Sequence, residues 1–469
     1  MSGWALTLLM TIPSIGVAFR SAVDRTRALP ECNANPSGML GENQAYGPAG
    51  GDTVDADFSA MRPLLWRRIA RWTAVLGPGL MVMLADTDAG SIITAAQSGA
   101  QWGYRMVLPQ ILLIPILFFV QEMTVRLGVL TGKGHGELIR DTFGRSWAMI
   151  SVGTLFVASL GAIITEFAGI AGVAQLFGVS APLAVIAAAA LLIGLGLSGS
   201  YRKVERVGIA LGLFELFFLP AALLAHPQAS QLMNGLTSMP LGDGGYLFLL
   251  AANIGAVIMP WMVFYQQGAV IDKGLAPHQL RAARLDTLLG AAATQVVMIC
   301  VVVAVAATIG RANHPQSLTA IPEISRALEP FLGYLGAKLA FGLGILGASL
   351  VAALVVSLAG AFGLGEALGK PHSLNSSPRE AKLFYLAYAG ALALGAAAVL
   401  SGAPLVRLTI DVEVMNAILL PVVLGFLVAL EARALPAEAR MRGLYRIVVW
   451  ASVAVVIGFG LFTAVRVIA

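Results

Sequence analysis

Residues 75–104 read VLGPGLMVMLADTDAGSIITAAQSGAQWGY. Two carboxylates, Asp86 and Asp88, and the run Ala89-Gly90-Ser91 stand in the middle of a stretch otherwise apolar enough for a membrane helix. A carboxylate at mid-bilayer costs about 2.5–3.5 kcal/mol on insertion scales, so a pair of them needs a compensating role. About ten apolar residues flank the pair on each side, which is too far for the acids to snorkel to the headgroups. Two acids plus a glycine interrupt the helix at a depth where backbone groups are left unpaired only beside a cavity. Freed carbonyls, two carboxylates and the Ser91 hydroxyl then converge, and that convergence is a cation site.

The second interruption lies in NIGAVIMPWMVFYQQGAV, residues 253–270, with Pro260 at its centre and Gly255 about one turn earlier. Proline removes a backbone donor and exposes a carbonyl of the preceding turn. Two interrupted helices, five spans apart, are the pattern of an inverted-repeat transporter whose site lies at the midplane. Met259 stands immediately before the proline. Methionine in a membrane helix usually only packs. Beside a break that faces another break it reads better as a thioether ligand, which favours softer transition metals over Mg²⁺ or Ca²⁺.

The rest of the 469-residue chain agrees with a bilayer setting. It is 58% hydrophobic and 12% charged, with mean hydropathy +0.82. About 25% charge is usual for a soluble domain, so a soluble multi-domain protein is excluded, and so is disorder. Apolar stretches fall at roughly 73–99, 106–130, 148–175, 181–199, 205–225, 246–270, 287–309, 337–367, 382–400, 408–431 and 445–467. The expected architecture is an all-α polytopic membrane protein with about eleven transmembrane helices, of which helices 1 and 6 are interrupted. Most of the 30 Lys and Arg fall in alternate connections, among them Arg202, Lys203 and Arg206, then Lys273, Arg281 and Arg284. The positive-inside rule then puts the N-terminus in the cytoplasm and the C-terminus outside. The net charge of +5 therefore marks topology rather than a nucleic-acid partner. Residues 1–61 read as a poorly structured tail. Its apolar run 4–19 precedes its arginines, the wrong order for a secretory signal. The transporter domain is 62–469: a first repeat over about 73–225, a second over about 246–431, and an extra helix at 445–467. The connection around 310–336 is the longest, and IPEISRALEPFLG within it reads as a short interfacial helix.

Five further acids lie in the apolar stretches: Glu122, Glu166, Glu215, Asp411 and Glu413. Glu122 and Arg126 are spaced i,i+4, so a helix-surface ion pair competes with a transport role. Glu166, in GAIITEFAGIAG, sits mid-span among small residues that permit close helix packing and has no basic neighbour, as a proton carrier or second cation stop would. For Asp411, Glu413 and Asn416 at the start of the tenth span, exposure at the membrane surface is an equal alternative to function. His135, His226, His278, His314 and His372 fall in connections or at span ends, so proton movement would have to use carboxylates. Cys32 and Cys300 make no disulfide or thiolate framework. No phosphate loop, nucleophile motif or metalloprotease helix appears, so no enzymatic activity is expected.

Together the first span, RLGVLTGKGHGEL at 126–138, RKVE at 202–205 and GAVIMPW at 255–261 resemble the NRAMP family of divalent metal transporters, in the same order from about Arg68 to the C-terminus. The family's Asp-Pro-Gly-Asn motif falls on Asp88, Ala89, Gly90 and Ser91. Its Ala-x-x-Met-Pro-His motif falls on Ala256, Met259, Pro260 and Trp261. Its proton-moving Asp and Glu of the third helix fall on Glu166 and Gly169. The resemblance implies a LeuT-like 5+5 inverted repeat that alternates access to a midplane metal. It further implies Asp88 and Met259 as ligands, with Ser91 and the carbonyls of Ala85 and Ala256 alongside and Asp86 as an additional or outer ligand. On the same resemblance Glu166 is expected to be the proton-linked carboxylate, and Glu122, Arg126, Gly90, Pro260 and Trp261 gating or proton-route positions. The departures matter. Ser91 for Asn, Trp261 for His, Gly169 for Glu and the added Asp86 alter the proton route and make the site harder and more anionic. The expected activity is import of Mn²⁺ or a similar divalent ion through the bacterial inner membrane, with the metal as substrate and no cofactor. Its partners are the ion, protons by a modified route and the bilayer, with oligomeric state left open. Mg²⁺ transport is the alternative, as is carriage of a cationic or metal-complexed organic solute against the Trp261 face.

Overall fold

The computed structural model describes residues 77–311, 317–401 and 405–468. The tail reading for 1–61, Arg68 and His314 lie outside the described residues. Among those described there are helices and turns and no strand.

The first apolar stretch forms two helices, α1 (Pro78–Asp86) and α2 (Ala89–Trp102), separated by Thr87 and Asp88. A short 3₁₀ turn leads to α3 (Val107–Thr131), which ends where Gly132 adopts φ 64°, the left-handed conformation that stops a helix. The loop motif then forms α4 (His135–Phe143). After it come α5 (Arg145–Leu176), α6 (Ala181–Gly196), α7 (Tyr201–Gly212) and, past a 3₁₀ stretch at Leu213–Phe217, α8 (Phe218–Leu224). A connecting α9 (Ala229–Thr237) precedes the second broken pair, α10 (Gly244–Val257) and α11 (Pro260–Asp272). The chain closes with α12 (Leu280–Ala306), α13 (Ile321–Leu368), α14 (Lys382–Leu400), α15 (Leu405–Arg433) and α16 (Gly443–Ile468).

Among the described residues nine helical stretches are long and apolar enough to cross a membrane, with Ala89–Thr131 taken as one of them. The sequence reading expected eleven crossings. The difference lies in the broken first span, whose halves of 9 and 14 residues are each short, and in the 16-residue α6. Within α13, Gly333 is non-helical at φ 69° and ψ 168°, so Ile321 to Leu332 forms a piece separate from the long apolar helix that follows.

Glycines let the central helices approach closely. Gly161 of α5 packs on Met415 and Val412 of α15, and Gly172 packs on Ile321. Gly208 and Gly212 of α7 lie against Met81 and Leu84 of α1. The outward faces carry exposed apolar side chains such as Phe156, Leu183, Leu223, Leu386 and Val455, as a lipid-facing surface requires.

Candidate metal-transport site at the paired helix breaks

The two breaks meet. In a continuous helix the Ala89 N–H would bond the Ala85 carbonyl four residues back. Here it donates instead to Glu166 Oε2 on α5, 3.2 Å away, which frees the Ala85 carbonyl from that role. Asp88 caps α2, its Oδ1 accepting the Ser91 N–H at 2.6 Å, while Oδ2 is buried without a partner. The second break follows the same logic. Pro260, which has no N–H, stands four residues after Ala256, so the Ala256 carbonyl loses its helical donor. Ser91 Oγ donates to that carbonyl at 2.9 Å, and one hydroxyl thus bridges the two breaks. Pro260 opens α11 as its first residue, a position where the missing N–H costs nothing.

Met259 caps α11 in an extended conformation and is fully buried. Trp261 Nε1 donates to its sulfur at 3.1 Å. The Trp261 ring is buried too, so the indole occupies the thioether rather than standing open as a free aromatic face. Gly169 lies so close to Ala89 and to Ser349 of α13 that an added Cβ would sit 2.6 Å from the Ala89 Cβ. A side chain cannot be placed there without separating α5 from α2.

Asp86 is 1% exposed, and its hydrogen bond runs to Thr294 of α12, with Thr294 Oγ1 3.4 Å from Oδ2. Thr294 also shares a short hydrogen bond with Thr87. Asp88 and Glu166 are fully buried. Glu122 and Arg126 do form an ion pair at 2.6 Å, and Arg284 of α12 joins it at 2.9 Å. Tyr445 of α16 donates to the other oxygen of Glu122 at 3.0 Å. This group ties α3, α12 and α16 together and makes none of the contacts of the breaks. The three residues at the start of the tenth span separate. Asp411 is exposed beside Arg407 at 3.7 Å, whereas Glu413 and Asn416 are fully buried.

Glu413 is the residue whose importance the sequence understated. Its carboxylate lies where a Cβ on Gly90 would be, and its backbone carbonyl where a Cβ on Gly255 would be. It therefore touches both broken helices from α15, and Asn416 Nδ2 donates to its Oε2 at 3.0 Å. The i,i+3 Glu–Asn pair inside an apolar helix, beside glycines in both breaks, was the available signal. Thr294 carried none beyond being a hydroxyl in an apolar span.

The described histidines stay away from the breaks. His135, at the start of α4, is buried against Phe264 and Gln267, and burial pushes its pKa down to about 4. It stays neutral near pH 7 and contributes no charge. What assembles at the breaks is a cluster of carboxylates, two released carbonyls, a hydroxyl and a thioether, with no ion-paired Lys or Arg among the described residues. Such a donor set suits a cation of mixed oxygen and sulfur preference.

The family described as natural resistance-associated macrophage protein-like (Nramp) matches residues 79–466. The divalent metal cation transporter MntH of Yersinia pestis (strain Pestoides F) is 31% identical over 299 residues, covering 61% of this chain and 71% of that protein. MntH of Chromohalobacter salexigens is 27% identical over 307 residues, covering 62% and 69% respectively. The crystal structure of the Eremococcus coleocola manganese transporter has the same fold, with TM-score 0.68 at 19% identity over 84% of this chain and 86% of that one. With its long apolar helices and these relatives, this is an integral membrane protein. Matched over almost all of its described length, the chain belongs to the Nramp family.

Proposed function

We propose that this protein is a secondary transporter that imports divalent metal cations, Mn²⁺ or an ion of similar character, by alternating access around the paired breaks. The observation that carries the reading is the Ser91–Ala256 bridge, which joins an unpartnered Asp88 oxygen to the Met259 break. Asp88 and Met259 are the proposed ligands, with Ser91 and the carbonyls of Ala85 and Ala256, and Glu413 facing them. Its relatives, named as divalent metal cation transporters, and a manganese transporter of the same fold support this reading. We read the chain as eleven crossings, with a broken first span and a 5+5 inverted repeat. We place it in the bacterial inner membrane and, by the charge bias, with its N-terminus inside and its C-terminus outside. Glu166 is the proposed proton-linked carboxylate, since it holds the first turn of α2 and no imidazole is at hand.

Uptake of Mn²⁺ and Mg²⁺ into proteoliposomes tests this with wild type, Asp88→Ala and Met259→Ala. Asp88→Ala is expected to abolish Mn²⁺ uptake, and Met259→Ala to lower it while sparing Mg²⁺. Equal movement of both ions in wild type with no effect of Met259→Ala would sink the transition-metal assignment. Mg²⁺ is the second reading, favoured by the Trp261 hydrogen bond that occupies the Met259 sulfur. The proton role fails if uptake is the same at two external pH values and drives no acidification.

A further inference from the structure

Glu215 takes no part in the site above, yet it is fully buried and, among the described residues, outside every ion pair. It lies in the 3₁₀ stretch Leu213–Phe217 and is the one buried residue there. Leu213, Phe214, Leu216 and Phe217 all face outward as exposed apolar side chains. The change from α to 3₁₀ geometry thus turns a single acid inward. Its direction follows from the packing below it. Gly208 of α7 lies on Met81 of α1, and Gly212 lies on Leu84. One further turn brings Glu215 to Thr87, within electrostatic reach of Asp86 and Asp88.

Neither Glu215 oxygen completes a well-formed hydrogen bond, because the Thr87 hydroxyl beside it is engaged with Met83 and Thr294, and Asp86 Oδ1 has no partner either. Between them stand two hydroxyls, Thr87 and Thr294, already bonded to each other, with Thr294 reaching Asp86 Oδ2. An unpartnered buried carboxylate is costly unless something neutralises it. Five buried acids feel one another's charge around the first break: Asp86, Asp88, Glu166, Glu215 and Glu413. Among the described residues none is in an ion pair. One divalent ion between Asp88 and Glu413 balances two of them. Glu166 rests on the Ala89 N–H at the positive end of α2. Asp86 and Glu215 remain.

We propose that Asp86 and Glu215, with the Thr87 and Thr294 hydroxyls, form a second cation site on the α7–α12 side of the break in helix 1. The donors are all oxygen, so the site takes a hard cation, and two carboxylates match a divalent one. The elements that close it, the 3₁₀ stretch after α7 and α12, are not those that close the Asp88–Met259 site, which are α10, α11 and α15. The second ion neutralises the break beside the first ion. Transport would then move, or depend on, two cations rather than one.

The proposal rests on the metal site described above and is tested by binding stoichiometry on the full-length purified protein. Mn²⁺ and Mg²⁺ are titrated calorimetrically in sodium-free buffer, with bound metal counted after desalting. Two Mn²⁺ per chain are expected in wild type and one in Glu215→Gln. Thr294→Val, which keeps every charge, is expected to weaken the second ion about tenfold and serves if Glu215→Gln does not fold. Met259→Ala should keep the second ion and weaken the first. One Mn²⁺ per wild-type chain, or two in a folded Glu215→Gln, overturns the second site and leaves the first intact. Loss of the second Mn²⁺ on adding Na⁺ overturns its assignment as divalent. No divalent ion bound to wild type would overturn the transport reading as well.

Discussion

Ser91 Oγ reaches the Ala256 carbonyl only because Pro260, four residues on, has no N–H to claim it. The residue-scale chemistry of the site is of this kind throughout: a helical partner is taken away and a distant side chain stands in. Glu166 stands in for the Ala85 carbonyl at the Ala89 N–H, and the Met259 sulfur accepts the Trp261 indole. The last pair makes a prediction. Trp261→Phe keeps the aromatic bulk and removes the donor, a bond worth about 0.5–1 kcal/mol. The freed thioether should raise the preference for Cd²⁺ over Mn²⁺ roughly two- to fivefold in competitive uptake. An unchanged ratio would mean that the sulfur takes no part in ion choice. At this scale the kind of chemistry was legible, because a carboxylate in an apolar stretch is too costly to stand idle and a proline after a methionine frees a carbonyl beside a thioether. The partners were not, since Thr294 and Glu413 lie more than 150 residues from Asp88 in the chain.

At the scale of elements, a half-helix needs its ends satisfied from outside. The α1 N-terminus shows how. Gly77 precedes Pro78 with φ 148°, and the buried or part-buried N–H groups of Gly77, Gly79 and Leu80, which have no helical acceptor, all donate to the Asp286 carboxylate of α12, at 3.1, 2.7 and 3.2 Å. Lys273 and Glu205 form an ion pair at 2.8 Å beside it. A nine-residue helix with no cap of its own thus borrows one from α12, 207 residues away in the case of Gly79. Asp286→Ala leaves three donors without an acceptor and should cost about 1–3 kcal/mol, read as a lower thermal midpoint in detergent. Because α1 is one half of the broken helix, uptake should fall more than the lost folded fraction explains. Asp286→Asn, retaining one acceptor, should fall between. An Asp286→Ala protein with wild-type melting and uptake would show that the cap is dispensable. The breaks themselves were readable from Gly and Pro, but this cap was not, because a lone Asp at the start of a helix reads equally well as solvent-facing.

Over the whole molecule, the fold rests on helices whose apolar faces meet lipid outside and glycine-lined seams inside. The proposed bilayer orientation rests on the sorting of Lys and Arg between alternate connections and makes a prediction. With Cys32 and Cys300 replaced by serine, a cysteine appended after Ala469 should react with a membrane-impermeant maleimide in intact cells, while one at Lys203 should not. The reverse pattern would overturn the orientation. Composition and apolar spacing determine that the chain is a helical membrane protein with its costly acids held near mid-span, since helix propensity and bilayer thickness are local constraints that each stretch meets by itself. Interruption of the helices before Ala89 and before Pro260 is local too, because Gly and Pro act on their own turn. Which buried acids face one another, and which are bonded and which are left bare, was decided by tertiary structure alone. Glu413 and Asp411, two residues apart, end at opposite exposures because adjacent positions on a helix point about 100° apart, and only packing chooses the inner face. Glu215 was placed by a 3₁₀ turn and by the packing of the α7 glycines just before it on Met81 and Leu84 of α1, and Asp86 by a threonine on α12. Those are contacts between segments far apart in the chain, and their geometry exists only once the helices have packed.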